Sequence, residues 1–134
     1  MKINKLYKEI EQAIASAHTE GVTLDQAEKL AAKTLHAQIA VSTELASVDL
    51  NARMSKSGLK AIKAAVYMNV VSQSDKKPTE AAISAIIDSD ETVAQAQNAL
   101  DKNEVERDEL NRYYDIFREA HIYFRGIAKG RFEG

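Results

Sequence analysis

The sequence predicts an all-α protein. Its 134 residues include only five glycines and one proline, so residues that favour turns are scarce. Ala, Leu, Glu, Lys and Gln, which favour helices, are abundant along the whole chain. No stretch alternates Val, Ile or Tyr with polar residues between turn signals, so no strand is predicted. We expect long helices packed as helical hairpins in a coiled-coil-like bundle.

The first two helices are predicted from apolar spacing and from their end signals. Over about residues 3–17, apolar residues recur three and four positions apart, as they do on one face of a helix. Gly21 is expected to end this helix. Thr23 and Gln26 then have the spacing of a capping box, which opens a second helix over about residues 24–53.

The buried face of the second helix is predicted from the continuation of this spacing. It is rich in alanine, which permits close packing against another helix. The residues expected on this face are Ala27, Leu30, Ala31, Leu35, Ile39, Leu45 and Val48.

Turn signals divide the middle of the chain. The segment 55–58, Ser-Lys-Ser-Gly, is predicted to break or kink the helix. Another helical stretch covers 59–70, and the polar segment 72–78 ends in a proline that prevents helix just before it. Thr79 is expected to cap a short helix, and the acidic segment 88–91 is expected to open the last one.

The last helix, over about residues 90–128, is predicted to be central. Its apolar residues advance by alternating steps of three and four and form a heptad seam, which Asn103 and Arg107 interrupt. The seam consists of Val93, Ala96, Leu100, Asn103, Arg107, Leu110, Tyr114, Phe117, His121, Phe124 and Ala128. Between residues 113 and 127 apolar side chains occupy nearly every side of the helix, which favours self-association, although a dense monomer core is the alternative. The predicted oligomer or partner interface consists of Tyr113, Tyr114, Phe117, His121, Tyr123, Phe124 and Ile127.

Length and composition predict one helical domain over residues 1–134. Within it, residues 1–54 are interpreted as an N-terminal helical hairpin or arm, and residues 55–134 as the core and oligomerisation region. The absence of cysteine excludes disulfides, zinc–thiolate sites and thiol nucleophiles, and it fits a reducing compartment. No signal peptide or membrane-spanning run is recognisable, so a cytoplasmic protein without membrane contact is expected.

Charge is unevenly distributed, although the net charge is only −2. Residues 51–77 hold six basic and one acidic side chain, whereas residues 78–110 hold two basic and nine acidic ones. A chain divided in this way can present a basic surface to a polyanion while remaining nearly neutral overall. Complementary pairing of the two segments is the alternative explanation.

Catalytic, metal and cofactor sites are not predicted. The sequence has neither a nucleophile elbow nor a phosphate-binding glycine loop, and its three histidines lack metal-site spacing. Carboxylates three residues apart, as at Asp101 and Glu104 or Glu106 and Glu109, leave a magnesium-dependent nucleotide pyrophosphatase as a third functional alternative. The chain is therefore expected not to be an enzyme.

Nucleic-acid binding is predicted from cations at helical spacing. Four basic residues follow one another at intervals of three, four and three positions, so they lie along one side of a helix and can meet successive phosphates. A tyrosine one turn further on offers a face for base stacking. The alternative is a solvated face that balances the acidic segment. The predicted DNA-binding residues are Arg53, Lys56, Lys60, Lys63, Tyr67, Lys76 and Lys77.

The segment from Lys77 to Val93, followed by a long coiled-coil-like helix, resembles small bacteriophage recombination mediators of the UvsY type. The shared pattern is a basic helical middle segment, a Lys-Pro-Thr-Glu start to a short helix, an acidic turn, and a long terminal helix that ends in aromatic and basic residues. The resemblance covers about residues 53–130, and residues 1–50 have no counterpart in it.

The resemblance implies a homo-oligomer that binds single-stranded DNA. Such a protein helps to load a RecA-like recombinase in place of a single-strand-binding protein, in the cytoplasm of a phage-infected bacterium. The DNA-contacting segment of the family falls on Arg53, Lys56, Lys60 and Lys63. The acidic segment 78–110 is an alternative contact for the recombinase. A helical adaptor or inhibitor, for example a phage protein that targets a host factor through its last helix, is the competing functional hypothesis.

Overall fold

The computed structural model describes residues 2–130, which form four α-helices. These are α1 (Lys2–Glu20), α2 (Leu24–Gln73), α3 (Glu80–Ser89) and α4 (Glu91–Ala128). The described part of the chain contains no strand, and its long helices pack against one another, which confirms the all-α prediction. None of these helices has both the length and the hydropathy needed to cross a membrane.

The predicted signals between the first two helices are confirmed. Gly21 has a φ of 75° and donates its amide to the carbonyl of Ala17 at 3.1 Å, closing α1 in the left-handed conformation that glycine favours. Thr23 and Gln26 form a reciprocal capping box. The Thr23 amide donates to Gln26 Oε1 at 3.0 Å, and the Gln26 amide donates to Thr23 Oγ1 at 3.2 Å.

The short helix α3 is capped at both ends. Thr79 Oγ1 accepts the amide of Ala82 at 3.2 Å at its N-terminus. At the other end the amide of Asp90 donates to the carbonyl of Ile87, and the Asp90 carboxylate accepts the amide of Val93 at 3.0 Å. Asp90 therefore closes α3 and opens α4, as expected for the acidic turn.

The predicted break at residues 55–58 is wrong. Helix α2 continues through it to Gln73, and Gly58 does not have a positive φ. Ser55 stays helical and accepts a 2.7 Å hydrogen bond from Asn103 Nδ2 on α4, so packing outweighs the weak helix preference of this segment. The domain boundary at 54/55 rested on this break and remains only a prediction.

Two compact units are built from these helices. The terminal unit comprises the described residues of Met1–Ala46 and Asp108–Gly134, that is α1, the start of α2 and the end of α4. The middle unit comprises Ser47–Arg107, that is the end of α2, all of α3 and the start of α4.

The predicted heptad seam of α4 faces the interior of both units, and all of its residues are buried or half-buried. In the terminal unit, the rings of Tyr113 on α4 and Tyr7 on α1 lie 5.1 Å apart. His121 Nδ1 lies 2.8 Å from the carbonyl oxygen of Ala31 on α2, so this nitrogen must carry the hydrogen and donate. Helix α2 therefore contacts the seam itself there, and α1 contacts α4 beside the seam.

The predicted buried face of α2 needs one correction. Ala27 and Val48 are buried as expected, but Leu35 is 45% and Ile39 57% exposed. Thr34 is fully buried instead, and its hydroxyl is satisfied by the carbonyls one turn earlier. Helix α2 carries apolar residues on two sides, and apolar spacing alone does not show which side is covered.

Candidate nucleic-acid interface

The four predicted cations of the middle unit lie on one side of α2. We call Arg53, Lys56, Lys60 and Lys63 the basic strip. Because α2 is uninterrupted here, the strip extends over about 15 Å at a rise of 1.5 Å per residue. Three of its members are exposed and Lys63 is half-buried. A break at residues 55–58 would divide the basic strip. Because the helix is continuous there, the four cations stay aligned.

The apolar core of the middle unit determines which side of α2 faces solvent. Leu59 on α2 packs with Val93 and Leu100 on α4, and all three are buried. Half-buried residues of α2, among them Ile62 and Val66, surround this cluster. With this face held inward, the side that carries the basic strip lies at the flank of the core and is open to solvent.

The lysines of the basic strip are not neutralised within the described chain. Arg53 forms an ion pair with Asp49 at 3.1 Å, but its own side chain is 78% exposed, so this pair is weak. Lys56, Lys60 and Lys63 form no ion pair with any residue in the range 2–130. These three lysines are therefore not paired with acidic residues of the described chain, although Lys77 of the same basic segment lies 3.7 Å from Glu80 of the acidic segment.

A groove between α2 and α4 lies at one end of the basic strip. Its volume is about 320 Å³. Arg53 and Lys56 line it from α2, and Arg107 lines it from α4. Asp49 and Glu104 also line the groove, and Glu104 lies 3.8 Å from Arg107, so three cations face two carboxylates. Arg53 and Arg107 are engaged with these two carboxylates, so Lys56 supplies the net positive charge of the groove.

Arg107 is the residue that sequence reasoning missed at this site. In the sequence it appeared only as a polar interruption of the heptad seam. The sequence does contain one indication of its role, because Arg107 is a cation in a seam position of α4 and the preceding long helix carries the basic residues. This indication predicts a shared site only if the register between α2 and α4 is known, and the structure shows that register.

The other predicted DNA-binding residues lie further along the chain. Tyr67 is half-buried on α2, one turn beyond Lys63. Lys76 and Lys77 are exposed in the connection between α2 and α3, and Lys77 lies 3.7 Å from Glu80. All three belong to the middle unit, so every predicted DNA-binding residue lies in that unit.

The predicted aromatic interface lies in the terminal unit, and much of it is buried there by the chain itself. Phe117 and Phe124 are fully buried, and Tyr113 is 7% exposed. Tyr114, His121, Tyr123 and Ile127 are half-buried. Phe117 and Phe124 are therefore covered within the terminal unit, whereas Tyr114 and Tyr123 keep part of their surface exposed. Self-association through this helix stays a prediction.

A second, apolar groove lies between α1 and α4 in the terminal unit. Its volume is about 450 Å³. Ile14, Ile116, Ala120 and Tyr123 line it, and the side chains of His18, Asp115 and Glu119 complete its lining. The His18 and Tyr123 rings lie 6.0 Å apart across the two helices. This surface can accept an apolar side chain from a partner.

Tyr113 and Glu9 of the terminal unit have shifted pKa values. Burial raises the pKa of the Tyr113 phenol, and its 3.1 Å hydrogen bond to Glu109 raises it further. The ammonium of Lys33, 2.7 Å from the Glu9 carboxylate, lowers the pKa of that carboxyl. Both contacts connect or support helices, and neither group lies in the middle unit.

Among the described residues, no group of three or more His, Asp or Glu side chains lies close enough together to hold a metal ion. Comparison of the chain with models of known protein families, with curated proteins and with solved structures gave no significant match.

Proposed function

We propose that this chain is an accessory protein of DNA recombination that binds single-stranded DNA through the basic strip. One observation carries the proposal. The strip's three lysines lie on one side of a continuous helix and have no acidic partner in the described chain, next to a groove that adds Arg107. Tyr67 lies near the same strip and offers a ring for base stacking.

The physical basis is release of counterions from the phosphate backbone. Each phosphate that a lysine or arginine neutralises contributes about −0.7 to the slope of log affinity against log salt for a single strand. Contact through all four members of the strip corresponds to a slope of about −3. Such binding is independent of base sequence, as an accessory protein that acts along a strand requires.

The rest of the proposal follows the resemblance to UvsY-type mediators. The chain self-associates and assists the loading of a RecA-like recombinase onto strands covered by single-strand-binding protein. It does so in the cytoplasm of a phage-infected bacterium. Its carboxylates have no catalytic role in this proposal. The acidic residues of α4 are available as a contact for the recombinase, because Glu91 and Asp101 are exposed.

The test is fluorescence anisotropy of a labelled single strand over a range of salt concentrations. Replacing Lys56, Lys60 and Lys63 together by alanine is expected to lower affinity roughly tenfold or more at low salt and to reduce the magnitude of the salt slope by about 2. Alanine is the best helix former, so α2 is expected to remain intact.

The matched control replaces Lys5, Lys8 and Lys102 by alanine. All three are exposed, and none lies on the basic strip, so the net charge changes equally while the strip remains. If both triple variants lose affinity to the same extent, the strip is not the binding site. If the unaltered protein leaves the anisotropy unchanged at low salt, direct DNA binding is wrong.

A second candidate function, a helical adaptor or inhibitor, is favoured by the apolar groove of the terminal unit. Ile116 lines this groove and is half-buried, so Ile116→Ser removes apolar contact area with little effect on the core. Capture of a purified recombinase that is lost in Ile116→Ser and retained in Lys60→Glu indicates an adaptor. The reverse result indicates the basic strip.

A further inference from the structure

The outward side of α2 in the middle unit carries apolar residues that no other described residue covers. Met54 is 63% and Met68 64% exposed, and Leu50, one turn before Met54, is 58% exposed. The core residue Leu59 points to the other side of the same helix, where it meets α4. Large apolar residues that line up on one exposed side of a helix commonly mark a contact surface.

The residues between the two methionines form a symmetric pattern centred on Ala61. Met54 lies seven positions before Ala61, and Met68 lies seven positions after it. At three and four positions on either side stand only small residues, Ser57–Gly58 before and Ala64–Ala65 after. All seven are exposed. We call this surface, residues 54–68 on the outward side of α2, the symmetric face.

A two-fold axis through Ala61 makes this surface complementary to itself. If two copies of α2 pack antiparallel about that axis, Met54 of one copy meets Met68 of the other at both ends of the contact. The small residues meet in the middle, where they allow the two helices to approach closely. In a parallel pair each methionine would meet the same methionine of the other copy. The mirror symmetry of the pattern about Ala61 would then not contribute to the fit.

We propose that a second copy of this chain docks on the symmetric face, antiparallel and with Ala61 at the two-fold axis. Burying two methionines per copy, on the order of 100 Å² each, gives an interface in the small class below about 1,200 Å². Interfaces of this size hold weak and transient assemblies. We therefore expect a dimer that forms at micromolar concentration or above.

The orientation has a consequence for the basic strip, and this part of the inference rests on the proposed function. Arg53 and Lys60 each precede a residue of the symmetric face by one position, so they lie about 100° round the helix, at its flank. A two-fold axis perpendicular to antiparallel helices puts the same flank of both copies on one side. The two strips then join into one basic surface about 24 Å long, compared with about 15 Å in a single copy.

Salt is expected to affect the dimer and the DNA complex in opposite directions. Bringing two basic strips together costs electrostatic repulsion, which salt screens, so the dimer is expected to be tighter at high salt. Binding to a single strand is expected to weaken under the same change. A single strand that spans both strips removes the repulsion and is expected to favour the dimer at low salt.

Disulfide crosslinking tests the proposal directly, because the chain contains no cysteine of its own. At interaxial distances of 8–10 Å, Cα atoms at the axis come within about 3.5–5.5 Å, which reaches the range that a disulfide needs. Ala61→Cys is therefore expected to crosslink with itself under mild oxidation. Met54→Cys alone is expected not to, because the two copies of residue 54 lie about 21 Å apart.

A mixture of Met54→Cys and Met68→Cys chains is expected to give a crosslinked heterodimer. If the two chains are made with different lengths, a non-reducing gel separates this heterodimer from the homodimers. Asn98→Cys, exposed on α4 of the same unit, controls for random collision. Self-crosslinking of Met54→Cys without the heterodimer indicates parallel packing and overturns the proposal. The proposal is also overturned if Ala61→Cys crosslinks no faster than Asn98→Cys does.

These measurements contain no DNA, so their failure leaves the proposed function standing. Conversely, efficient crosslinking of Ala61→Cys with no binding to a single strand overturns the proposed function alone. Where both hold, the oxidised Ala61→Cys dimer is expected to show a salt slope of nearly twice the magnitude of that of the dilute reduced protein. An unchanged slope contradicts the joined basic surface.

Discussion

At the scale of single residues, the polar groups buried in the terminal unit are paired. Thr34 is fully buried on α2, and its hydroxyl lies 2.9 Å from the carbonyl of Leu30 and 3.0 Å from that of Ala31. His121 of α4 approaches the same place, with Nδ1 3.4 Å from the Thr34 hydroxyl. No buried side-chain nitrogen or oxygen in the described residues is left without a partner. Such pairing avoids the cost of an unsatisfied buried polar group.

The ion pair of Glu9 and Lys33 connects α1 to α2, and it makes stability depend on pH. Lys33 lowers the pKa of Glu9 in the folded chain, so folding favours the ionised carboxylate. The stabilisation is present above the unfolded pKa, about 4.3 for Glu, and is lost as pH falls through the lower folded value. The pair is partly exposed, at 43% for Lys33 and 39% for Glu9, so the effect is small.

Glu9→Gln is therefore expected to lower the midpoint of thermal unfolding at neutral pH and to have less effect as pH falls below about 4. The measurement is thermal unfolding by circular dichroism across this pH range. Glu28→Gln, at an exposed position of α2, is the control for a change of net charge. An equal loss at neutral and acid pH contradicts the assignment.

At the scale of helices, the elements whose ends carry local signals could be predicted from sequence. The capping residues Thr23, Thr79 and Asp90 act within three positions of themselves, so their hydrogen bonds depend on few other parts of the chain. Gly21 is equally local. The heptad seam of α4 was also readable, because its period extends over many turns.

The fate of residues 55–58 could not be predicted in the same way. Glycine and serine weaken a helix by only about 1 kcal/mol, and the contacts of Ser55 and Leu59 with α4 outweigh that cost. These contacts join residues more than 30 positions apart in the sequence. A local signal at the glycine contains no information about them.

Gly58→Ala is expected to stabilise the protein by about 0.4–1 kcal/mol, because alanine loses less backbone freedom on folding. A Cβ at Gly58 meets no atom within 4 Å, and its φ is not positive. The measurement is the midpoint of urea unfolding.

Gly21→Ala is the matched control, since a Cβ there also meets nothing within 4 Å. The difference is the φ of 75°, which costs an alanine about 1–2 kcal/mol. We expect the two substitutions to shift the midpoint in opposite directions. Destabilisation by both would show that α2 needs glycine at position 58.

At the scale of the whole molecule, the proposed binding surface belongs to one unit. Acetylation of lysines, quantified by mass spectrometry with and without a single strand, tests this location. We expect the strand to protect Lys56 and Lys60 in the middle unit, and to leave Lys8 and Lys29 in the terminal unit as reactive as before. Equal protection in both units contradicts a site confined to the basic strip.

The two predicted functional surfaces differed in how much the sequence could show. The basic strip lies on a single helix, so its spacing indicates the alignment, but that alignment also requires the helix to continue through residues 55–58, which only the structure shows. Arg107 joins it from another helix, and only the packing of α2 against α4 reveals this. The aromatic residues of α4 were readable as a place of dense burial. Whether Phe117 and Phe124 are covered by the same chain or by a partner does not follow from their periodicity.

The chain segments that form each unit also affect the order in which the chain can fold during synthesis. The middle unit is one continuous segment, Ser47–Arg107, so all of its partners have left the ribosome once residue 107 emerges. The terminal unit needs residues from both ends of the chain. Until the last helix is made, Tyr7 of α1 lacks the Tyr113 ring that contacts it in the folded chain, and this side of α1 stays open to other molecules.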